Sequence, residues 1–86
     1  MNISRNIHYT ILIKINGRLR EFNFRKRSDD LYDADTSDER GTRFQFKLSR
    51  TEGNWEIAGV NVPAWIQDSQ QQIISAVQQE EEKLSN

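Results

Sequence analysis

The side chains that could do chemistry are few in this 86-residue chain. His8 is the sole histidine, and there is no cysteine. No histidine pair or thiolate set can therefore grip a transition metal. Nucleophilic catalysis would have to use His8 as its histidine base, and no signature pairs a nucleophile with it. Asp33, Asp35, Ser37 and Glu39 alternate like the opening of a calcium loop. The match then breaks: the position that needs glycine for the sharp turn is Asp38, and Phe44 stands where the closing bidentate acid belongs. Paired carboxylates occur only in this acidic stretch, where a flexible polar setting would not raise a pKa by burial. No glycine-rich phosphate loop is present. The expectation is a non-enzyme with no cofactor and no metal.

A second chemistry is phosphate binding. Arg18, Arg20, Arg25, Lys26 and Arg27 surround Phe22 and Phe24, and interleaved basic and aromatic residues can bind single-stranded nucleic acid by stacking. Charge is also unevenly spread. Residues 1–27 hold seven Lys or Arg against one Glu, whereas residues 28–40 hold six Asp or Glu against one Arg. Over the whole chain the net charge is −1, so nothing drives the protein as a unit toward nucleic acid or membrane. The acidic stretch is expected either to fold back on the basic hairpin or to guide self-association.

The elements that must position these groups follow from periodicity. In IHYTILIKI, Ile7, Tyr9, Ile11, Ile13 and Ile15 alternate with His8, Thr10, Leu12 and Lys14, a strong strand signal. Asn16-Gly17 follows, suited to a type I′ turn that needs positive φ at both positions. A two-residue loop sets Ile15 opposite Arg18, Ile13 opposite Arg20, Ile11 opposite Phe22 and Tyr9 opposite Phe24. The apolar members of both strands then share one face. Phe22 and Phe24 become core, and the polar face keeps Lys14, Arg25, Arg27, Arg43 and Lys47 without an aromatic platform. Those five residues are the candidate anion or nucleic-acid face.

Residues 28–42 read as a mobile acidic loop in which Leu31-Tyr32-Asp33-Ala34 is at most a short irregular strand. RFQFKLS alternates again, Thr51-Glu52-Gly53-Asn54 is a turn, and WEIAGV is the last strand. A helix is expected over 62–84, with Asn61 as N-cap and Pro63 in its first turn. Ile66, Ile73, Val77 and Leu84 form its apolar stripe, widened by Trp65 and Ile74. Glu80, Glu81 and Glu82 oppose the helix dipole, which predicts a frayed last turn or two. The whole, 1–86, is one α+β domain: a single antiparallel sheet of four to five strands over 7–60, β-β-(β)-β-β-α, with one C-terminal helix on its apolar face. Ile11, Ile13, Phe22, Phe24, Phe46, Trp55, Ile57, Ile66 and Ile73 are the expected core.

The order of strands then helix resembles, in topology alone, small folds that bind single-stranded nucleic acid, such as the Pur-type domains. That resemblance implies a nucleic-acid role for the basic face, as the second reading after a non-catalytic interaction module. A small-ligand pocket between sheet and helix is the third. One helix about 10 Å wide covers only two or three strands spaced about 4.8 Å apart. Some of Ile7, Tyr9, Phe44 and Trp65 should then stay wet, and a homodimer, or another protein at Trp65 and Ile74, would cover them. Met1 suggests a chain read from its start, MNISRNIHYT carries no basic region followed by an apolar run, and no stretch is long enough to span a bilayer. A cytoplasmic location is expected.

Overall fold

A computed structural model describes residues 7–84; the first six residues, the last two and the Leu84 side chain lie outside the described part. The sheet is a five-stranded antiparallel meander in the order β1-β2-β3-β4-β5. Its strands are β1 (His8–Ile15), β2 (Arg18–Ser28), β3 (Leu31–Ser37), β4 (Arg43–Thr51) and β5 (Asn54–Ala58). Two helical segments follow, α1 (Ala64–Gln67) and α2 (Gln70–Leu84). The chain is thus α+β, with one antiparallel sheet and a C-terminal helix.

The first hairpin has the expected register: Ile15 faces Arg18, Ile13 faces Arg20, Ile11 faces Phe22 and Tyr9 faces Phe24. Asn16 at φ 52° and Gly17 at φ 81° supply the two left-handed residues that the tight turn requires. The same device joins β4 to β5, with Glu52 at φ 54° and Gly53 at φ 83°.

The segment read as a mobile acidic loop, 28–42, is corrected in its middle. Leu31–Ser37 is a full strand, and it is the central one. Tyr32, Ala34 and Thr36 are buried while Asp33, Asp35 and Ser37 point to the other face. The pattern has the right period, but aspartate, alanine and a buried threonine weaken its strand signal. Neighbours on both sides supply what local preference lacks: β3 pairs β2 from Phe22–Thr36 to Ser28–Leu31 and β4 from Leu31–Ser49 to Ser37–Arg43. The Thr36 hydroxyl donates to the Glu21 carbonyl at 2.7 Å, which satisfies a buried polar group. The true turn is Asp38–Thr42, where the Asp38 Oδ1 accepts from the Arg40 and Thr42 amides, each at 2.9 Å. Asp38, the residue that broke the calcium pattern, is therefore the cap of this turn.

The core lies between the sheet and the helices. Ile13, Ile15, Phe22, Phe24, Tyr32, Ala34, Phe46, Leu48 and Trp55 meet Ile66, Ile73 and Val77. Of the expected core, Ile11 and Ile57 are half-buried at its margin.

The helix differs from expectation in two ways. Asn61 is not its N-cap; Pro63 holds that position without a side-chain cap bond, and Asn61 sits at φ 61° in the connecting turn. A break at Asp68–Ser69 also divides the helix. There the Ser69 hydroxyl turns back to the Trp65 carbonyl at 2.9 Å, and the Ser69 amide donates to Ile66 rather than Trp65. Serine competing for the backbone in this way bends a helix. In the connection, Gly59 at φ 151° lets the chain pass close to β4: a Cβ there would lie 3.1 Å from Val62 Cγ2 and 3.3 Å from Phe46 Cα.

Candidate functional site

The face of the sheet away from the helix is concave and encloses a trough of about 980 Å³. Arg25, Arg27, Arg43 and Lys47, four of the five residues of the candidate anion face, line it; Lys14 does not. Asp33 and Asp35 line it too. These two carboxylates come from β3, between the cations of β2 and those of β4, because alternation puts them on the polar side while Tyr32, Ala34 and Thr36 go to the core.

The result is a cross-strand network. Thr10 Oγ1 donates to Asn23 Oδ1 at 2.6 Å, and Asn23 Nδ2 donates to Asp35 Oδ1 at 2.9 Å. Arg43 Nη2 donates to the same Asp35 oxygen. This row links β1, β2, β3 and β4. In a second row Arg27 Nε and Lys47 Nζ hold the two oxygens of Asp33, the lysine at 2.7 Å. The hydrogen bond from Lys47, then that from Arg27, holds the Asp33 carboxyl below the usual carboxylate range. Among the described residues no carboxylate lies within ion-pair distance of Arg25 or Lys14. Two of the three acids singled out for calcium, Asp33 and Asp35, are thus engaged by cations along an extended strand, which spreads them instead of wrapping them round an ion.

At the hairpin end, Glu39 pairs with Arg18 at 3.0 Å and Arg20 at 2.9 Å. Arg50 holds Asp30 at 2.9 Å, a hydrogen bond that raises the guanidinium's already high pKa. The acidic stretch has folded back on its basic neighbours, β2 and β4. Each such surface pair contributes only about 0–1 kcal/mol. Together they use up much of the charge asymmetry inside one chain.

A second polar cluster joins helix to sheet. The buried Tyr32 hydroxyl donates to Glu81 Oε2 at 2.9 Å. Lys26 Nζ lies 3.5 Å from that oxygen, and Arg50 Nη1 lies 3.9 Å from Oε1. Glu81 does not hang free at a frayed end: the sheet supplies its partners. Tyr9 faces Tyr32 with its hydroxyl buried and without a hydrogen bond of good geometry. Burial pushes the Tyr9 phenol up to about 12, and burial likewise raises that of Tyr32. Both are neutral hydroxyls at ordinary pH, so neither is a base. Beside this cluster a hollow of about 530 Å³ is lined by Lys26, Arg50, Trp55, Gln78 and Glu81.

Trp65 and Ile74, the anticipated partner surface, are half-buried against the core. Trp65 packs edge-on to Phe22 at 6.3 Å and Phe44 at 6.1 Å, with the Arg20 guanidinium 5.8 Å from its ring. Among the described residues the large apolar side chains that stand in solvent are Leu12, 61% exposed, Leu19, 64% exposed, and Val60. Alternation alone places Leu12 and Leu19 on the polar face, beside the cations of the candidate anion face. His8 lies exposed at the margin of the trough. Among the described residues no three of His, Asp and Glu gather as a metal site, and no helix is long and apolar enough to cross a membrane.

Protein-family models, curated proteins and solved structures show no match to this chain.

Proposed function

We propose that this chain is a non-catalytic binding module that works as a homodimer and presents the concave polar face of its sheet to another protein. The observation that supports the reading is the double engagement of each central carboxylate. Asp33 is held by Arg27 and Lys47, and Asp35 by Asn23 and Arg43. Charges of both signs are thereby fixed in position on a concave surface before any partner arrives. Such a pattern discriminates by complementarity, rewarding a surface with matching signs and penalising like charges. Two carboxylates at the centre oppose a run of phosphates, which favours protein over nucleic acid. The second reading keeps one observation in its favour: four cations line the trough against two carboxylates. A small ligand at the helix–sheet hollow is less favoured, because Lys26 and Arg50 are already engaged by Glu81.

The test is selection of displayed peptides on the immobilised protein, alongside retention on oligo(dT) across a salt series. Selected peptides should lose binding to the Arg25→Glu and Asp35→Lys variants and keep it with Gln78→Arg on the helix. Peptides indifferent to both face variants would overturn the reading. Oligo(dT) binding that weakens steeply with salt would transfer the face to nucleic acid.

A further inference from the structure

We infer that β1 is a dimerisation edge, pairing antiparallel with β1 of a second copy about a two-fold axis near Leu12. The inference rests on the self-association proposed above and supplies its surface.

The argument starts from the first turn. A two-residue type I′ hairpin makes Ile15 and Arg18 a hydrogen-bonded pair, so bonds to β2 recur at every second residue of β1. The Lys26 amide donating to the Ile7 carbonyl at 2.8 Å confirms that the odd positions face β2. The backbone N–H and C=O groups of His8, Thr10, Leu12 and Lys14 therefore point away from the sheet. β1 ends the sheet, so among the described residues none of these groups has a neighbouring strand.

Edges are usually blunted by shortness, proline, a bulge or a central charge. β1 shows none of these. It has eight residues and no proline, and its register with β2 is unbroken. Its middle is Ile11-Leu12, and its only lysine is near its end. The other edge, β5, has five residues with Glu56 at its centre. β1 is the edge left able to pair.

Its side chains select a copy of itself. On the helix side Ile7, Tyr9 and Ile11 are only half-buried, the margin of an apolar layer that stops at this edge. On the polar side Leu12 is 61% exposed, and Leu19 lies diagonal to it across the Lys14–Leu19 pair. A pairing centred on Leu12 sets Leu12 against Leu12 of the partner subunit. It sets Ile13 against Ile11 of the partner subunit, and Ile15 against Tyr9 of the partner subunit. Lys14 then faces Thr10 of the partner subunit, so no cations oppose each other. Both incompletely covered surfaces of β1 are closed by one two-fold contact, as an isologous interface requires. The two sheets become one ten-stranded sheet with both helical layers on the same side.

The test uses mass against concentration, by light scattering and sedimentation, on three proteins. Wild type should approach twice the chain mass at high micromolar concentration. Thr10→Pro removes an outward N–H and no backbone bond to β2; it gives up only the exposed hydroxyl contact with Asn23, so it should stay folded by circular dichroism and remain monomeric. Leu12→Cys introduces the chain's only thiol and should form a disulfide-linked dimer on mild oxidation, faster than Leu19→Cys. A wild type that stays monomeric at every concentration removes the self-association reading altogether. A wild-type dimer that survives Thr10→Pro, with no preference for the Leu12→Cys link, overturns the edge alone. Leu12→Cys reads the interface even if Thr10→Pro proves unstable.

Discussion

The contact between Tyr32 and Glu81 allows a prediction with its magnitude worked out. Tyr32 is fully buried on the central strand, and its hydroxyl donates to a carboxylate on the last turns of α2 at 2.9 Å. Tyr32→Phe keeps the ring, which packs against Trp55, Phe24 and Tyr9. What it removes is one hydrogen bond to a charged group, worth about 1.5–3 kcal/mol. Glu81 keeps Lys26 and Arg50 at 3.5 and 3.9 Å, so its carboxylate is not stranded, and the loss should sit near the lower end, about 1.5–2 kcal/mol. Glu81→Ala strands a buried phenol instead and should cost about 1–3 kcal/mol. Since both changes break the same bond, the double variant should cost less than the sum of the two by about 1 kcal/mol or more. In a domain of this size, 1 kcal/mol moves Tm by about 4–8 °C. Urea and thermal unfolding of the four proteins measure all three quantities. A Tyr32→Phe midpoint at or above wild type, or additive single effects, would refute the idea that this bond ties the helix to the sheet.

Other outcomes follow from the same structure. Phe22→Ala and Phe46→Ala should each cost about 3–5 kcal/mol, and Ile57→Ala, half-buried at the margin, clearly less; urea midpoints give the order. Gly59→Ala should destabilise by about 1–3 kcal/mol, because it combines a left-handed φ with contacts at 3.1 and 3.3 Å; the same unfolding assay reads it. The folded-state pKa of Asp33 is depressed by Lys47 and Arg27, so its contribution is present above its unfolded pKa of about 4 and is lost as pH falls through the folded value. Wild type should therefore exceed Asp33→Asn in urea midpoint at pH 7, and the gap should close in acid and shrink in high salt. Amides of Tyr32–Thr36 should exchange as slowly as the amides that β1 and β2 bond to each other, which hydrogen exchange by NMR reads directly.

How much of this fold the sequence shows depends on how strongly each strand announces itself. β1 and β2 are legible to the residue, because alternation of isoleucine and phenylalanine is joined by Asn16-Gly17, which leaves one register. β4 and β5 are legible for the same reason. β3 is not, because half of it is Asp33, Asp35 and Ser37, and its buried half includes Ala34 and Thr36. Such residues form a strand only when strands on both sides hold them, and that is a tertiary fact. The helix is legible in its apolar stripe, whereas its break is set by one backbone contest at Ser69. Local rules set Glu81 against the helix dipole, an effect of a few tenths to about 1 kcal/mol. The partner that outweighs it, Tyr32, is 49 residues away, and no local rule finds it.

The misread strand also decides what the site is. With residues 28–42 as a loop, the polar face is a bare row of cations, and the acidic stretch is free to reach a second molecule. With Leu31–Ser37 as the central strand, Asp33 and Asp35 sit between those cations and are bonded to them, and Asp30 and Glu39 take Arg50, Arg18 and Arg20. Charge that could have steered two copies together is satisfied within one. Any self-association must then draw on what the fold leaves unsatisfied. In the described structure the longer unblunted edge is the outward backbone of β1, with the exposed Leu12 on one side of it and half-buried Ile7, Tyr9 and Ile11 on the other. An interface built on backbone bonds and apolar cover should hold in high salt, where one built on the segregated charges would dissolve. The salt dependence of the proposed dimer therefore separates the two origins without any mutation.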